Sequence, residues 1–313
     1  MAMNTDQLSP ELFQPAEREQ GAEEAVSRKR LSYWQDVRRR FVSNKGAMIG
    51  LLLIVIIGVM SLVGPLMNDF TYSDQNTDMM NISPFEKIEG DYWLGTDHLG
   101  RDLWTRIWYG AGISLLIAII AASLDLVVGV TYGAISGYMG GKVDDWMQRL
   151  VEVLVGVPQL VVIILLLIWL EPGIFAIALA LALTGWVNMS RIVRAQMLKL
   201  KSQEYVLAAR TLGANTRRML TKHMIPNVMG PVIITLMFTI PNAIFFEAFL
   251  GFIGLGLRPP QASLGVLLND GYQMLQLYPY QCLLPATVLS LLMFSFNLLG
   301  DGLRDALDPK LRQ

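Results

Sequence analysis

Three acidic residues lie within or beside long apolar runs of this sequence: Asp125, Glu152 and Glu247. A charge at the centre of a membrane-spanning helix costs about 2.5–3.5 kcal/mol on the lenient insertion scale, so each needs a partner, water or a transport task. Glu152 stands three residues after Arg149, and a local ion pair one helical turn apart accounts for it. Asp125 lies deeper in its run and is expected to face the protein interior or water. Glu247 follows closely on Pro241-Asn242. A proline inside a helix removes one hydrogen bond and kinks it. Asn242, Glu247 and Asp125 are therefore candidates for lining a solute pathway, with a structural hydrogen bond the equal alternative for Glu247.

Other clusters point away from catalysis. His98 with Asp97 and Asp102 places one histidine beside two loop carboxylates, which matches no standard metal-ligand set. No metal site and no cofactor are expected in this chain. The glycines and aspartates around them predict turns that fold the outer segment, 68–108, over one mouth of the protein. The run from Gly137 to Lys142 resembles a phosphate loop at a glance. A P-loop needs Gly where Ser136 stands and Ser or Thr where Val143 stands, so any nucleotide energy must arrive from a partner. With two histidines in all and no nucleophile–base or H-E-x-x-H pattern, a membrane-embedded hydrolase is excluded and no catalytic residue is assigned. The single cysteine, Cys282, excludes an intrachain disulfide.

The elements that must position these residues are membrane helices. Apolar residues make up 53% of the chain and charged residues 16%, against about 25% charged in an ordinary soluble domain. Six windows, 46–67, 113–132, 151–170, 174–193, 231–252 and 283–299, approach or reach the roughly 20 apolar residues that span a bilayer as a helix. The fold class is all-α and integral to the membrane, with six transmembrane helices. With the N-terminus in the cytoplasm, all but Lys87, Arg101, Arg106 and Arg258 of the 25 lysines and arginines fall inside. The positive-inside bias then puts both termini in the cytoplasm.

Residues 1–45 form a cytoplasmic N-terminal tail. Its first 27 residues, rich in Glu, Gln and Ala, are expected to be disordered. Basic triplets at 28–30 and 38–40 flank Tyr33 and Trp34, a pattern that anchors topology at the headgroups of the lipid bilayer. Nucleic acid is no candidate partner for such a chain. Residues 46–313 form the six-helix domain, with an outer loop at 253–281 in which Leu264 opens a short interfacial helix. Gly129, Gly133 and Gly137 stand at four-residue spacing and line one helix face for close backbone approach, either to another subunit or within the chain.

Between the fourth and fifth windows a basic, polar loop spans 191–226. Glu204 opens a small amphipathic helix in which Tyr205, Ala208, Ala209 and Leu212 fall on one face at i, i+3, i+4 and i+7. Two adjacent alanines permit close approach of a second surface. Gly213 is free to adopt positive φ and turn the chain before Ala214, and Asn215 or Thr216 can cap a second short helix through Lys222.

This loop resembles the coupling loop of ABC importers, E-A-A, three residues, G, nine residues, I-x-L-P. Ala208 and Ala209 match, Gly213 follows after three residues, and His223, Ile225 and Pro226 close the motif. Leu207 replaces the Glu of the pattern, while Glu204 lies one helical turn earlier. Residues 94–102, the stretch 254–265 with its paired prolines, and 297–309 resemble the C-type membrane subunit of dipeptide and oligopeptide importers. The resemblance covers nearly everything beyond the tail. It implies the type I importer permease fold and a bacterial or archaeal cell membrane. Its implied partners are a second homologous permease subunit, two ATP-binding subunits that carry ATP and Mg, an extracytoplasmic solute-binding protein and a peptide substrate. Coupling to the ATPases would run through Glu204, Tyr205, Ala208, Ala209, Gly213 and Ala214. Related subunits serve nickel or other small solutes. A proton-coupled secondary transporter, with Asp125 and Glu247 as relays, would need two related halves; no such repeat is found.

Overall fold

A computed structural model describes residues 32–86 and 92–308. The expected disorder of residues 1–27 and the triplet at 28–30 lie outside the described residues. Helix α1, Tyr33–Ser43, carries Trp34 and Arg38 to Arg40 ahead of the first span. Asn44 then caps α2, Lys45–Val63, by accepting from the Ala47 amide at 3.1 Å. Among the described residues, five helices are long and apolar enough to cross a membrane by length and composition. They are α2 with its 3₁₀ extension to Leu66, α3 (Leu103–Met139), α6 (Ile174–Lys201), α8 (Thr216–Phe252) and α10 (Tyr280–Leu307).

The expected third span, 151–170, is not one helix. Its residues divide between α4, Gly141–Gly156, and α5, Gln159–Trp169, bent by 83° at the junction. Pro158 explains the break: it lacks an amide hydrogen, and the preceding Val157 is extended (φ −99°, ψ 129°) as residues before proline prefer. The pair counts as a sixth, broken crossing or a re-entrant element. Other windows underestimate their helices. Helix α3 runs 37 residues, roughly 55 Å at 1.5 Å per residue, and projects beyond a bilayer core.

The centre of the bundle is the pairing of α3 with α6. Between the two alternatives for the glycine stripe, the contacts are within the chain. An added methyl at Gly129 would lie 2.6 Å from Met189 Cβ, and one at Gly137 would lie 2.6 Å from Met197 Cβ. At Gly133 it would meet the Ser190 carbonyl and, at 2.9 Å, Val193 Cβ. Small side chains let the backbones close up where lipid gives no hydrophobic drive for association. Helix α2 packs on α10 by the same device, with Gly50 against Ser295 and Leu298, and Gly302 against Ala47. Its other faces, including Leu52, Val55, Val59 and Leu62, remain exposed, as suits contact with lipid.

The outer segment is fastened by buried polar groups. Gly95 (φ +75°) and Gly100 (φ +71°) make the expected turns. Asp97 accepts from Arg101 Nε at 2.6 Å and from the amides of Leu99 and Arg101. Asp102 caps α3 by accepting from the Thr105 amide at 2.8 Å, and also accepts from Asn68. These carboxylates are thus committed to turns, caps and ion pairs. Arg101 and the fully buried Arg106 both reach Asp97 and Asp270, which joins this segment to α9 (Leu264–Gln273), the expected short helix of the outer loop. Gln281 at the start of α10 adds bonds to Asn81 and the Thr96 carbonyl.

Gly133→Leu should destabilise this packing by about 1–3 kcal/mol, the usual cost of overfilling a close contact. A lower melting temperature of the detergent-solubilised protein, against an unchanged one for Gly58→Leu at a position facing open space, checks it.

Candidate functional site

Two polar stripes face each other in the bundle. On α6 they are Thr184 and Asn188, and on α8 Thr235, Thr239 and Asn242, each set spaced by one turn or two of helix. Between α6, α8 and α10 lies a cavity of about 580 Å³, lined in part by Asn188, Thr239, Asn242, Asn297 and Arg304. A second, of about 110 Å³, shares Asn188, Thr239 and Asn242 and reaches Asp125 on α3, with Gln159 and Thr184 completing its polar wall. Pro241 interrupts the hydrogen bonding of α8 immediately before Asn242.

Of the three candidate lining residues, Asn242 borders both cavities and Asp125 borders the smaller. Asp125 is 4% exposed, and its Oδ1 lacks a hydrogen-bond partner. Glu247 takes the structural alternative. It is fully buried and absent from the walls of both cavities. Its Oε2 accepts from Ser114 Oγ at 2.6 Å, and that hydroxyl in turn accepts from the Leu264 amide at 3.2 Å. Glu247 thus ties α8 to α3 and to the first turn of α9. Glu152 lies on the exposed surface 3.5 Å from Arg149, as their spacing implies.

At the opposite end from the outer segment, α7 spans Glu204–Thr211. It ends in a Schellman motif: the Gly213 amide donates to the Arg210 carbonyl at 3.0 Å and the Ala214 amide to that of Ala209 at 3.1 Å. Gly213 has φ +82°, the left-handed conformation that glycine adopts without strain. Asn215 caps the next segment by accepting from the Arg218 amide at 2.9 Å. That segment is not a separate short helix ending at Lys222. It is the first turn of α8, Thr216–Arg218, which a π-helical stretch at Met219–Met224 joins directly to the rest of that helix.

The predicted face of α7 divides in two. Tyr205, Ala208 and Leu212 are exposed, Leu212 by 88%, together with Glu204 and Leu207, whereas Ala209 and Ala214 are half-buried. The inward anchor is Val206, which packs with Ala209 and Ala214 against Met197, Met219 and Met224. Sequence reasoning missed Val206, although its i, i+3 relation to Ala209 is a usable signal. It also missed the brace under α7. Arg194 on α6 donates through Nε and Nη2 to the two oxygens of Asp144 on α4, both at 2.6 Å. Ser136 donates to the same carboxylate, and Lys201 Nζ donates to the Tyr138 carbonyl at 2.8 Å. A bidentate guanidinium–carboxylate pair fixes orientation as well as distance. Beside α7, a cleft of about 290 Å³ is lined in part by Tyr138, Val143, Lys201, Leu207 and Arg210.

A small braced helix at one end and a polar cavity in mid-bundle are the parts of a transport subunit. Residues 129–313 match the family described as the binding-protein-dependent transport system inner membrane component. The chain belongs to that family. Residues 32–84 match the N-terminal transmembrane domain of oligopeptide transport permease C, which the preceding resemblance implied. The oligopeptide transport system permease protein OppC of Bacillus subtilis is 49% identical, over 96% of this chain and 98% of that protein. The dipeptide permease protein DppC of the same organism is 47% identical, over 93% and 90%. This chain is a C-type ABC importer permease, a multi-pass membrane transport subunit and not an enzyme; ATP hydrolysis in such importers lies with partner subunits. An inward-facing methionine ABC transporter, MetNI, superimposes with a TM-score of 0.54 at 17% identity, covering 65% of this chain and 96% of that one. At that identity the likeness concerns the fold, and it gives the permease the type I importer architecture.

Two predictions separate these roles. Arg194→Ala should destabilise the permease by about 1–3 kcal/mol by leaving part of the Asp144 carboxylate unsatisfied, and the Asp144→Ala/Arg194→Ala double variant should lose less than the sum of the two singles; thermal melts of all four proteins read this. Glu247→Leu should lower the melting temperature, whereas Glu247→Gln, able to keep the bond to Ser114, should melt near the wild type.

Proposed function

We propose that this permease forms half of a translocation pathway for oligopeptides or dipeptides, driven by ATP in partner subunits. The observation that carries the pathway is the polar cavity shared by α6, α8 and α10. Peptide is favoured over nickel by the full-length likeness to permeases named for peptides. The complete assembly would contain a second homologous permease subunit, two ATP-binding subunits holding ATP and Mg, and an extracytoplasmic solute-binding protein. The distribution of basic residues supports placing both termini, and α7, in the cytoplasm of a bacterial or archaeal cell.

The ATPase contact is assigned to Glu204, Tyr205, Ala208, Ala209, Gly213 and Ala214. Within that set the geometry supports a division of labour. Glu204, Tyr205 and Ala208 offer surface, joined by Leu207 and Leu212; Ala209 and Ala214 seat the helix; Gly213 ends it. Closure of the ATPase pair would push on α7, and the braced ends of α3, α4 and α6 would carry the movement to the cavity wall. Transmission of this kind needs a stiff, docked helix.

Gly213 gives a graded test. A methyl there meets nothing within 4 Å, so Gly213→Ala should cost only the strain of positive φ, about 1–2 kcal/mol. Gly213→Arg adds bulk at the docking surface. It should insert and fold yet lose peptide uptake in reconstituted vesicles, with ATPase either lost on co-purification or no longer stimulated by substrate. Normal transport by Gly213→Arg would overturn this role for the loop.

A further inference from the structure

The unsolved group in this bundle is the Asp125 carboxylate. It sits in an apolar helix, is 96% removed from solvent, and pairs with no basic side chain among the described residues. Each of the other buried acids has at least one partner, Asp97 in Arg101 and Arg106, Asp102 in Asn68 and the first turn of α3, Asp144 in Arg194 and Glu247 in Ser114, although one oxygen each of Asp102 and Glu247 is also left without a hydrogen bond. Asp125 instead ends the smaller cavity, whose other polar walls are Gln159, Thr184, Asn188, Thr239 and Asn242. Those side chains are neutral and can donate or accept, so they solvate a charge without neutralising it. Gly185 makes room for the carboxylate: a methyl on it would collide with both Asp125 oxygens. A buried anion without a cation, facing a polar cavity, is a site for a cation that arrives from outside the chain.

We infer that Asp125 is an ammonium-binding subsite of the pathway, taking the protonated primary amine of a passing peptide. The inference rests on the proposed transport of peptides. The shape of the site favours an amine over a bare metal ion: only one wall residue is anionic, whereas an ammonium has three donors and needs one carboxylate with neutral acceptors around it. The larger cavity, which shares the lining residues Asn188, Thr239 and Asn242 with the smaller, carries Arg304 in its wall. A peptide with its amine at Asp125 would thus have its carboxylate end toward a guanidinium, and the groove is polar in the same sense as the substrate. The primary amine has two sources, the N-terminus and a lysine side chain, and they are separable.

The test uses the assembled transporter in the nucleotide-free state. A membrane-permeant carbodiimide reacts with carboxyl groups shielded from bulk water, and peptide mapping reads modification at Asp125. Trialanine at about ten times its Kd should reduce labelling of Asp125 about tenfold, because only about a tenth of the sites then stay empty. N-acetyl-trialanine should give no protection. N-acetyl-Ala-Lys-Ala distinguishes the sources: protection means that any primary amine enters, and no protection restricts the site to the N-terminus. Equal protection by the free and acetylated peptides would overturn the inference, because peptide would then exclude the reagent without using its amine. Absence of labelling with and without peptide would overturn it too, since a group from the second permease subunit would already hold the carboxylate. In vesicles, Asp125→Asn should lower trialanine uptake about tenfold and Asp125→Glu should recover part of it; uptake unchanged in Asp125→Asn would equally sink the proposal. Wild-type uptake of trialanine in the same vesicles tests the peptide-transport reading separately from Asp125.

Discussion

Three glycines in α3 decide how near α6 can come, and most of what this permease offers depends on that distance. Lipid tails are as apolar as leucine, so burial of apolar surface does not pull membrane helices together. Contact must come from fit. Gly129, Gly133 and Gly137 remove the side chains that would stand between the backbones, and Met189, Val193 and Met197 occupy the space. Below that contact the pair carries Arg194 and the Ser136–Asp144 cluster. Above it the pair carries Asp125 opposite Gly185. A single close packing therefore sets the geometry of the brace beside α7 and of the carboxylate in the cavity.

The two ends of the bundle solve different problems with charge. The outer segment must hold a long, irregular stretch of backbone against helix ends, and it does so with Arg101 and Arg106 shared between Asp97 and Asp270. Removing one member of such a buried set leaves the others uncompensated, which makes the segment hold or fail as a unit. At the α7 end the ionic contact is one bidentate pair, partly exposed, backed by an apolar cluster of methionines. Methionine fills irregular gaps and tolerates adjustment. The first arrangement suits a cap that stays put. The second gives α7 a seat that holds its shape and tolerates adjustment.

The long apolar periods were legible in the sequence, and so were the turn chemistry and the short helix that ends at Gly213, because these depend on local spacing. Gly213 at positive φ, Asn215 as a cap and the exposed face of α7 follow from neighbours within a few residues. The break at Pro158 was equally local, yet the hydropathy of 151–170 concealed it: an average over a window does not see a missing amide hydrogen. Long-range partnerships were not legible. Arg194 and Asp144 are 50 residues apart, and Glu247 and Ser114 are 133 apart; nothing in either neighbourhood names the other. The polar stripes on α6 and α8 fall between. Their periodicity stands in the sequence, but only the packing shows that they face one cavity.

Asp125 and Glu247 make the same point about buried acids. Both lie in apolar helices and carry the same insertion cost, and by sequence alone both were candidates for the pathway, with Glu247 singled out by the neighbouring Pro241-Asn242. Their surroundings divide them. Glu247 meets a hydroxyl that also accepts from a backbone amide of α9, so one of its oxygens serves to hold three helices together. Asp125 meets a glycine, which has nothing to offer it, and a cavity. No side chain fits in the place of Gly185, since even a methyl would collide with both carboxylate oxygens. The close approach of α3 to α6 that seats Asp125 beside the cavity therefore also denies it a donor from that position.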